Sequence, residues 1–184
     1  GTFWVDAVEY FIDVQFNQVQ RANVFVGFAE PVASDARREL EHLPGVTRAE
    51  AMRAIPVRLV AGNRYYRTAL TGVPDDATLQ RVLDRDLREV RPAPGGVVLT
   101  TRLATRLGVA PGDTLIVEML EGKRIKAPLR VSGTVRELAG MNAYLPLTEL
   151  NRLAREGRVI SAAGLRVDRE EEPRLLARLK EIPG

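Results

Sequence analysis

Reactive side chains are few in this 184-residue chain, and they are scattered. It holds one histidine, His42, and no cysteine. Disulfides and thiolate chemistry are therefore closed to it, and a zinc site of the His/Cys type needs more ligands than one histidine supplies. His42 follows Glu41 at the end of an amphipathic stretch, where the negative end of a helix dipole favours an imidazolium. That placement predicts a solvated helix-terminal residue and not a general base. Asp84 with Asp86, and the run Glu170–Glu172, are carboxylates from which an acid–base pair could be drawn, but both sit in charged runs typical of solvated helix faces. Pro94-Gly95-Gly96 precedes a strand and lacks the Gly-Lys-Ser/Thr ending of a phosphate loop. The densest chemistry is Arg58, Arg64 and Arg67 interleaved with Tyr65 and Tyr66. Such a set can meet a nucleic acid or an anionic headgroup; the same spacing also arises when outward arginines alternate with half-buried aromatics on a hairpin. No catalytic site is legible, and neither a metal nor a cofactor is expected.

Charge points the same way. Lys and Arg exceed Asp and Glu by 27 to 24, and the pI of 9.6 reflects how little titrates near neutrality rather than a strongly basic surface. Both signs alternate, as in RRELE, DRDLRE and REEEPR, which describes solvated helix faces with local ion pairs. A phosphate-tracking stripe would be one-signed, so nucleic acid is not an expected partner. The 45% hydrophobic content is enough for one compact domain or two small ones. No apolar run approaches the roughly 20 residues of a membrane span, and no secretory leader pattern opens the chain.

The elements that would position these groups begin with a helix over residues 3–20, whose polar stripe is Asp6, Glu9, Asp13, Asn17 and Gln20. Phe3, Trp4, Val5, Val8, Phe11, Ile12 and Phe16 cover the rest of its circumference, an arc that demands another element, a partner chain or lipid. Ile12–Asn17 also alternates with period two, as a strand would. Next comes a strand Asn23–Ala29 ended by Pro31, then a helix Asp35–Leu43 capped by Ser34. Residues 46–73 read as a long hairpin turning at Ala61-Gly62-Asn63, with Ile55, Val57 and Leu59 on its buried face. A helix is expected over Thr78–Val90, with Leu79, Val82, Leu83 and Leu87 at helical spacing. Arg91-Pro92-Ala93-Pro94-Gly95-Gly96 is a linker and the best internal boundary. Beyond it follow a short strand Val97–Leu99, a helix capped by Thr100 or Thr101 and running through Leu107 with Gly108 as left-handed C-terminal cap, and a tight turn Ala110–Asp113. Two strands, Thr114–Leu120 and Ile125–Leu138, a third at Ala143–Leu145 and a helix Thr148–Glu156 complete this β-rich stretch. Residues 162–184 repeat the strand–break–helix–Pro-Gly order of residues 24–46, so a further strand is expected after the last Pro-Gly and the chain reads as an internal piece of something longer.

In this order and spacing the chain resembles the extracytoplasmic domain of the MacB/FtsX/LolC-type permeases, subunits of ABC transporters. The pieces that carry the resemblance are YFIDVQFNQVQRANVFVGFAEP (10–31), LPGVTRAEAMRAIPVRL (43–59), YRTALTGVP (66–74), GVVLTTRLATRLGVAPGDTLIVE (96–118), AYLPLTELNRL (143–153) and the closing VDREEEPRLLARLKEIPG. The resemblance implies an α+β fold: a stalk-like N-terminal helix over 1–22, a ferredoxin-like, porter-like βαβ subdomain over 23–92 and 158–184, and an inserted small β-rich, barrel-like subdomain over 93–157. It implies a parent chain in a bacterial cell membrane with this domain on the periplasmic side. The partners implied are a second permease subunit, a separate cytoplasmic ATPase and a further periplasmic or outer-membrane protein. The function implied is mechanical: ATP-driven motion of membrane helices is coupled to substrate handling or partner activation outside the membrane. The residues expected at interfaces are Phe3, Trp4, Val8, Phe11 and Ile12 on the N-terminal helix, with Arg58, Tyr65 and Arg67 on the hairpin. The competing reading is a soluble ligand- or nucleic-acid-binding module built on a small β-barrel.

Overall fold

The computed structural model describes residues 24–79, 82, 84–86, 88–137 and 140–181. The expected N-terminal helix, with Phe3, Trp4, Val8, Phe11 and Ile12, lies outside the described residues. The chain divides into two compact units, one of residues 1–53, 76–81 and 158–184, the other of residues 54–75 and 82–157.

The first unit is a β-layer with helices against one face. Its strands are β1 (Val24–Ala33), the first half of β2 (Val46–Ala61) and β8 (Val159–Val167), and its helices are α1 (Ala36–Glu41) and α4 (Glu172–Glu181). β8 lies in the centre, antiparallel to both neighbours: Leu165 faces Val24 on one side and Ala49 on the other. β1 and β2 therefore run in one direction with α1 between them and β8 inserted, a split β–α–β arrangement. Period-two alternation turns Val24, Val26, Ala49, Ala163, Leu165 and Val167 to the same face, where Leu40 of α1 and Leu175 and Leu179 of α4 cover them. The four-residue step from Leu175 to Leu179 keeps both on one helix stripe.

Three local expectations are corrected in this unit or beside it. Pro31 does not end β1, which continues to Ala33; register shifts between Gly27 and Val32, and a proline without an N–H is tolerated in such an irregularity of a strand paired along one edge. Ser34 makes no side-chain cap for α1, although its carbonyl accepts from the Arg37 N–H at 3.2 Å. The described residues of 78–90 are not helical. Two interactions account for this. Glu50, 2% exposed on β2, accepts from the Thr78 N–H at 2.6 Å and from the Leu79 N–H, fixing the start of the segment in a bend. Asp84 Oδ1 then accepts from the N–H groups of Asp86 and Arg88 at 2.9 Å each, a turn that competes with helix formation. Leu83 and Leu87 lie outside the described residues.

The second unit is a closed six-stranded barrel. Around it run the second half of β2, β3 (Arg64–Val73), β7 (Ala143–Pro146), β4 (Val97–Thr100), β6 (Lys126–Val135) and β5 (Thr114–Met119), and β5 pairs back onto β2. Two pairs, β3–β7 and β4–β6, are parallel; the β4–β7, β5–β6 and β2–β5 pairs are antiparallel. Closure removes sheet edges and encloses Ile55, Val57, Leu59, Leu70, Leu99, Leu115, Val117 and Val131, with Leu103 and Leu107 of α2 (Thr101–Leu107) and Leu150 of α3 (Leu147–Ala154) packed against them. The hairpin Ala54–Asp75 belongs to this barrel, whereas the linker signal places the boundary at 92–93. Proline and glycine report chain stiffness, while Ile55, Val57 and Leu59 need the core that Leu99 and Leu115 share.

Two glycines terminate elements as left-handed residues. Gly108 (φ 70°) closes α2: its N–H reaches the Thr105 carbonyl at 3.1 Å and Val109 N–H reaches Ala104 at 3.0 Å, the Schellman pattern. Gly45 (φ 78°) enters β2 so close to the segment before α4 that an added Cβ would lie 2.2 Å from the Glu171 Cβ. Thr100, by contrast, gives α2 no side-chain cap; its Oγ accepts from the Asn142 N–H at 3.1 Å, tying β4 to the approach of β7.

Candidate interaction surface

The β2–β3 hairpin carries the arginine–tyrosine set. Gly62 turns the chain at φ 61° and Asn63 does not share its left-handed conformation, the pattern of a type II′ hairpin turn whose twist suits the flanking strands. Alternation then sorts the side chains. Ile55, Val57 and Leu59 enter the barrel core with Tyr66 packed at its margin, while Arg58, Tyr65 and Arg67 face outward.

On that outer face Arg58 is held twice. Its Nε lies 3.0 Å from Glu118 Oε2 on β5, and its guanidinium sits 4.7 Å from the centre of the Tyr65 ring. Glu118 is the direct register partner of Arg58 and, on its other side, of Lys126, whose Nζ is 3.4 Å from Glu118 Oε1. One carboxylate thus stands between two cations across three strands. The Arg58 Nε is buried and its contact with Glu118 is a charge contact without hydrogen-bond geometry. Tyr65 remains 57% exposed, the only exposed large apolar side chain among the described residues. Arg67 is exposed beside it.

Around the turn, Asn63, Arg64, Tyr65, Tyr66, Arg67 and Arg106 line an open concavity of about 650 Å³. Arg106, from the last turn of α2, lies 5.2 Å from the Tyr66 ring centre, and the Arg64 Nη1 donates to the Arg106 carbonyl at 3.5 Å. Arg106 carries no sequence signal for this role, because its meeting with Tyr66 depends on how α2 docks on β3. Glu118 and Lys126 are equally silent until strand register places them beside Arg58. The surface is cationic, aromatic and open to solvent, a set of side chains well suited to contact.

The other groups weighed for chemistry do not assemble with it. His42 caps α1 as an exposed residue whose Nδ1 donates to the Arg38 carbonyl at 2.6 Å. Asp84 is occupied by its turn, Glu171 pairs with Arg174 at 3.5 Å, and Glu172 opens α4 where acidic residues suit the helix dipole. Among the described residues no three His, Asp or Glu side chains cluster as a metal site would require. One half-buried polar group has a strongly shifted titration: the Tyr144 phenol on β7. Burial first, then the hydrogen bond and charge of Glu137, push its pKa far above the ordinary tyrosine value, with an Asn142 hydrogen bond opposing. Asn142 Nδ2 also donates to Glu137 Oε2 at 3.0 Å.

The family model of the MacB-like periplasmic core domain matches residues 2–181. The chain belongs to that family. No curated protein matches the sequence. Among solved structures the fold is similar to the extracellular domain of the ABC-type transporter YknZ from Gram-positive bacteria, with 16% identity, a TM-score of 0.54, and coverage of 94% of this chain and 90% of that one. It is also similar to the periplasmic region of MacB from Actinobacillus actinomycetemcomitans, at 17% identity and a TM-score of 0.51, covering 93% of this chain and 80% of the other. At such identities the two structures speak to fold alone. This MacB-like domain is mixed α+β with a closed six-stranded barrel, and no helix among its described residues is long and apolar enough to cross a membrane.

Proposed function

We propose that this MacB-like core domain is the extracytoplasmic part of a bacterial ABC transporter permease, where it couples ATP-driven motion of membrane helices to substrate handling or partner activation outside the membrane. The observation that carries the reading is the family match over residues 2–181, nearly the whole chain. The chemistry of the described surface is in keeping with it: no nucleophile–base pair accompanies the exposed Tyr65 and Arg67, and contact is what such side chains do well. In this account ATP is hydrolysed by a separate cytoplasmic subunit, and the domain responds by shifting among conformations whose populations nucleotide state biases. The apolar residues Phe3, Trp4, Val8, Phe11 and Ile12 meet the second permease subunit. Tyr65 and Arg67, with Arg58 as the residue that steadies Tyr65, meet a partner on the far side of the membrane. Purification of the parent protein from bacterial membranes tests the assignment. A particle containing two copies of the permease and an ATP-hydrolysing subunit is expected; a lone chain free of ATPase would contradict it.

A further inference from the structure

A second concavity in the barrel unit has a different character from the hairpin surface. It measures about 330 Å³ and is lined by Arg85, Arg102 and Arg136 together with Thr100, Thr101 and Glu137. The three arginines come from three places in the fold: the Asp84 turn, the first turn of α2, and the residue that follows β6. None of them has an ion-pair or hydrogen-bond partner among the described residues. At the hairpin, by comparison, Arg64 is spent on a carbonyl and Arg106 on a tyrosine ring.

Three arginines line one small space, and Glu137 is the one carboxylate among its lining residues. Glu137 is itself held to the wall, its Oε2 by Asn142 Nδ2 and its carboxylate beside the Tyr144 phenol, and its Oε1 is buried away from the concavity's solvent. Asp84 and Asp86 lie in the adjoining hollow that shares Arg85 and Arg136, and neither lines the first one. The Thr100 Oγ accepts from Asn142 and keeps its own proton to donate. The lining therefore presents cationic donors from three separate elements.

We propose that this concavity binds a phosphate ester, the tetrahedral oxyanion taken by Arg85, Arg102 and Arg136. A carboxylate has two oxygens in one plane and is satisfied by one guanidinium fork; three forks from separate elements suit an anion with oxygens in three dimensions. The volume admits a small ester of glycerol size and sits at the low end of ordinary ligand cavities. The chemistry is shared by a soluble ester and by the headgroup of an anionic phospholipid.

The 184-residue chain, isotope-labelled, is titrated with glycerol 3-phosphate at constant ionic strength and followed by NMR. Saturable shifts confined to Thr100–Arg102, Arg136 and Gly140 are expected, with at least a tenfold loss of affinity in the double variant R102A/R136A. The single variant Arg85→Ala, in a turn outside the barrel strands, is expected to weaken binding severalfold and serves if the double variant misfolds. Pelleting with vesicles of phosphatidylglycerol against phosphatidylcholine separates the sources. Retention on the anionic vesicles alone, lost in the variants, assigns a headgroup; NMR shifts without retention assign a soluble ester. Shifts spread evenly over all basic residues, equal shifts with sodium chloride, or unchanged affinity in both variants would overturn the proposal.

Discussion

Glu50 is a carboxylate that water scarcely reaches, 2% exposed, and its oxygens are committed to the N–H groups of Thr78 and Leu79 while Arg48 approaches to 3.5 Å. Removing it strands two backbone donors, so Glu50→Ala is expected to cost about 2–4 kcal/mol in urea unfolding, and Glu50→Gln less because one acceptor survives. Amide exchange at Thr78 and Leu79 should accelerate in the alanine variant. Tyr144 yields a pH prediction. Its folded pKa lies above its unfolded value, so above pH of about 10 the unfolded chain releases the proton that the folded chain keeps. The stabilising contribution is complete below that pH and declines as pH rises beyond it. Denaturation profiles from pH 9 to 11 should fall less steeply for Tyr144→Phe than for the parent chain. Neither residue can be read as special in sequence: Glu50 sits in a strand that alternates charge and apolarity, and Tyr144 is one of four tyrosines.

Elements were more legible than residues where a rigid local signal existed. Gly108 announces the end of α2, Pro111-Gly112 the turn before β5, and Gly62-Asn63 the hairpin, since each supplies a backbone conformation that few other residues adopt. Gly45→Ala and Gly108→Ala test this. Each forces a side chain into the left-handed region, at a cost on the order of 1–3 kcal/mol, and Gly45 should lie at the upper end because its new Cβ overlaps the Glu171 Cβ. Thermal unfolding would rank the two. The leucine spacing of 78–90 is helical, while the forces that hold its described residues otherwise, a buried glutamate from β2 and an aspartate turn, lie elsewhere in sequence or act on the backbone. The arginine–tyrosine hairpin was visible as alternation. Its organisation around Glu118 and Lys126 was not, because register between β2, β5 and β6 is a property of the closed barrel. A double-mutant cycle on Arg58 and Glu118 should give a coupling of about 1 kcal/mol or less, since both are partly solvated.

At the scale of the whole molecule, the chain comprises an α+β layer and a closed barrel, and it belongs to the family of MacB-like periplasmic core domains. A domain that transmits motion needs surfaces whose exposure depends on nucleotide state, and the absence of cysteine from this sequence makes that measurable. In a parent transporter stripped of any other cysteine, Tyr65→Cys provides a single label site at an exposed position of the hairpin. The measurement is its rate of reaction with a membrane-impermeant maleimide, first in intact cells, then in the purified transporter without nucleotide and after vanadate trapping. Labelling of intact cells, with a rate that changes severalfold between the two nucleotide states, is the result the account predicts. Labelling only after the cells are opened, or a rate indifferent to nucleotide, would contradict it.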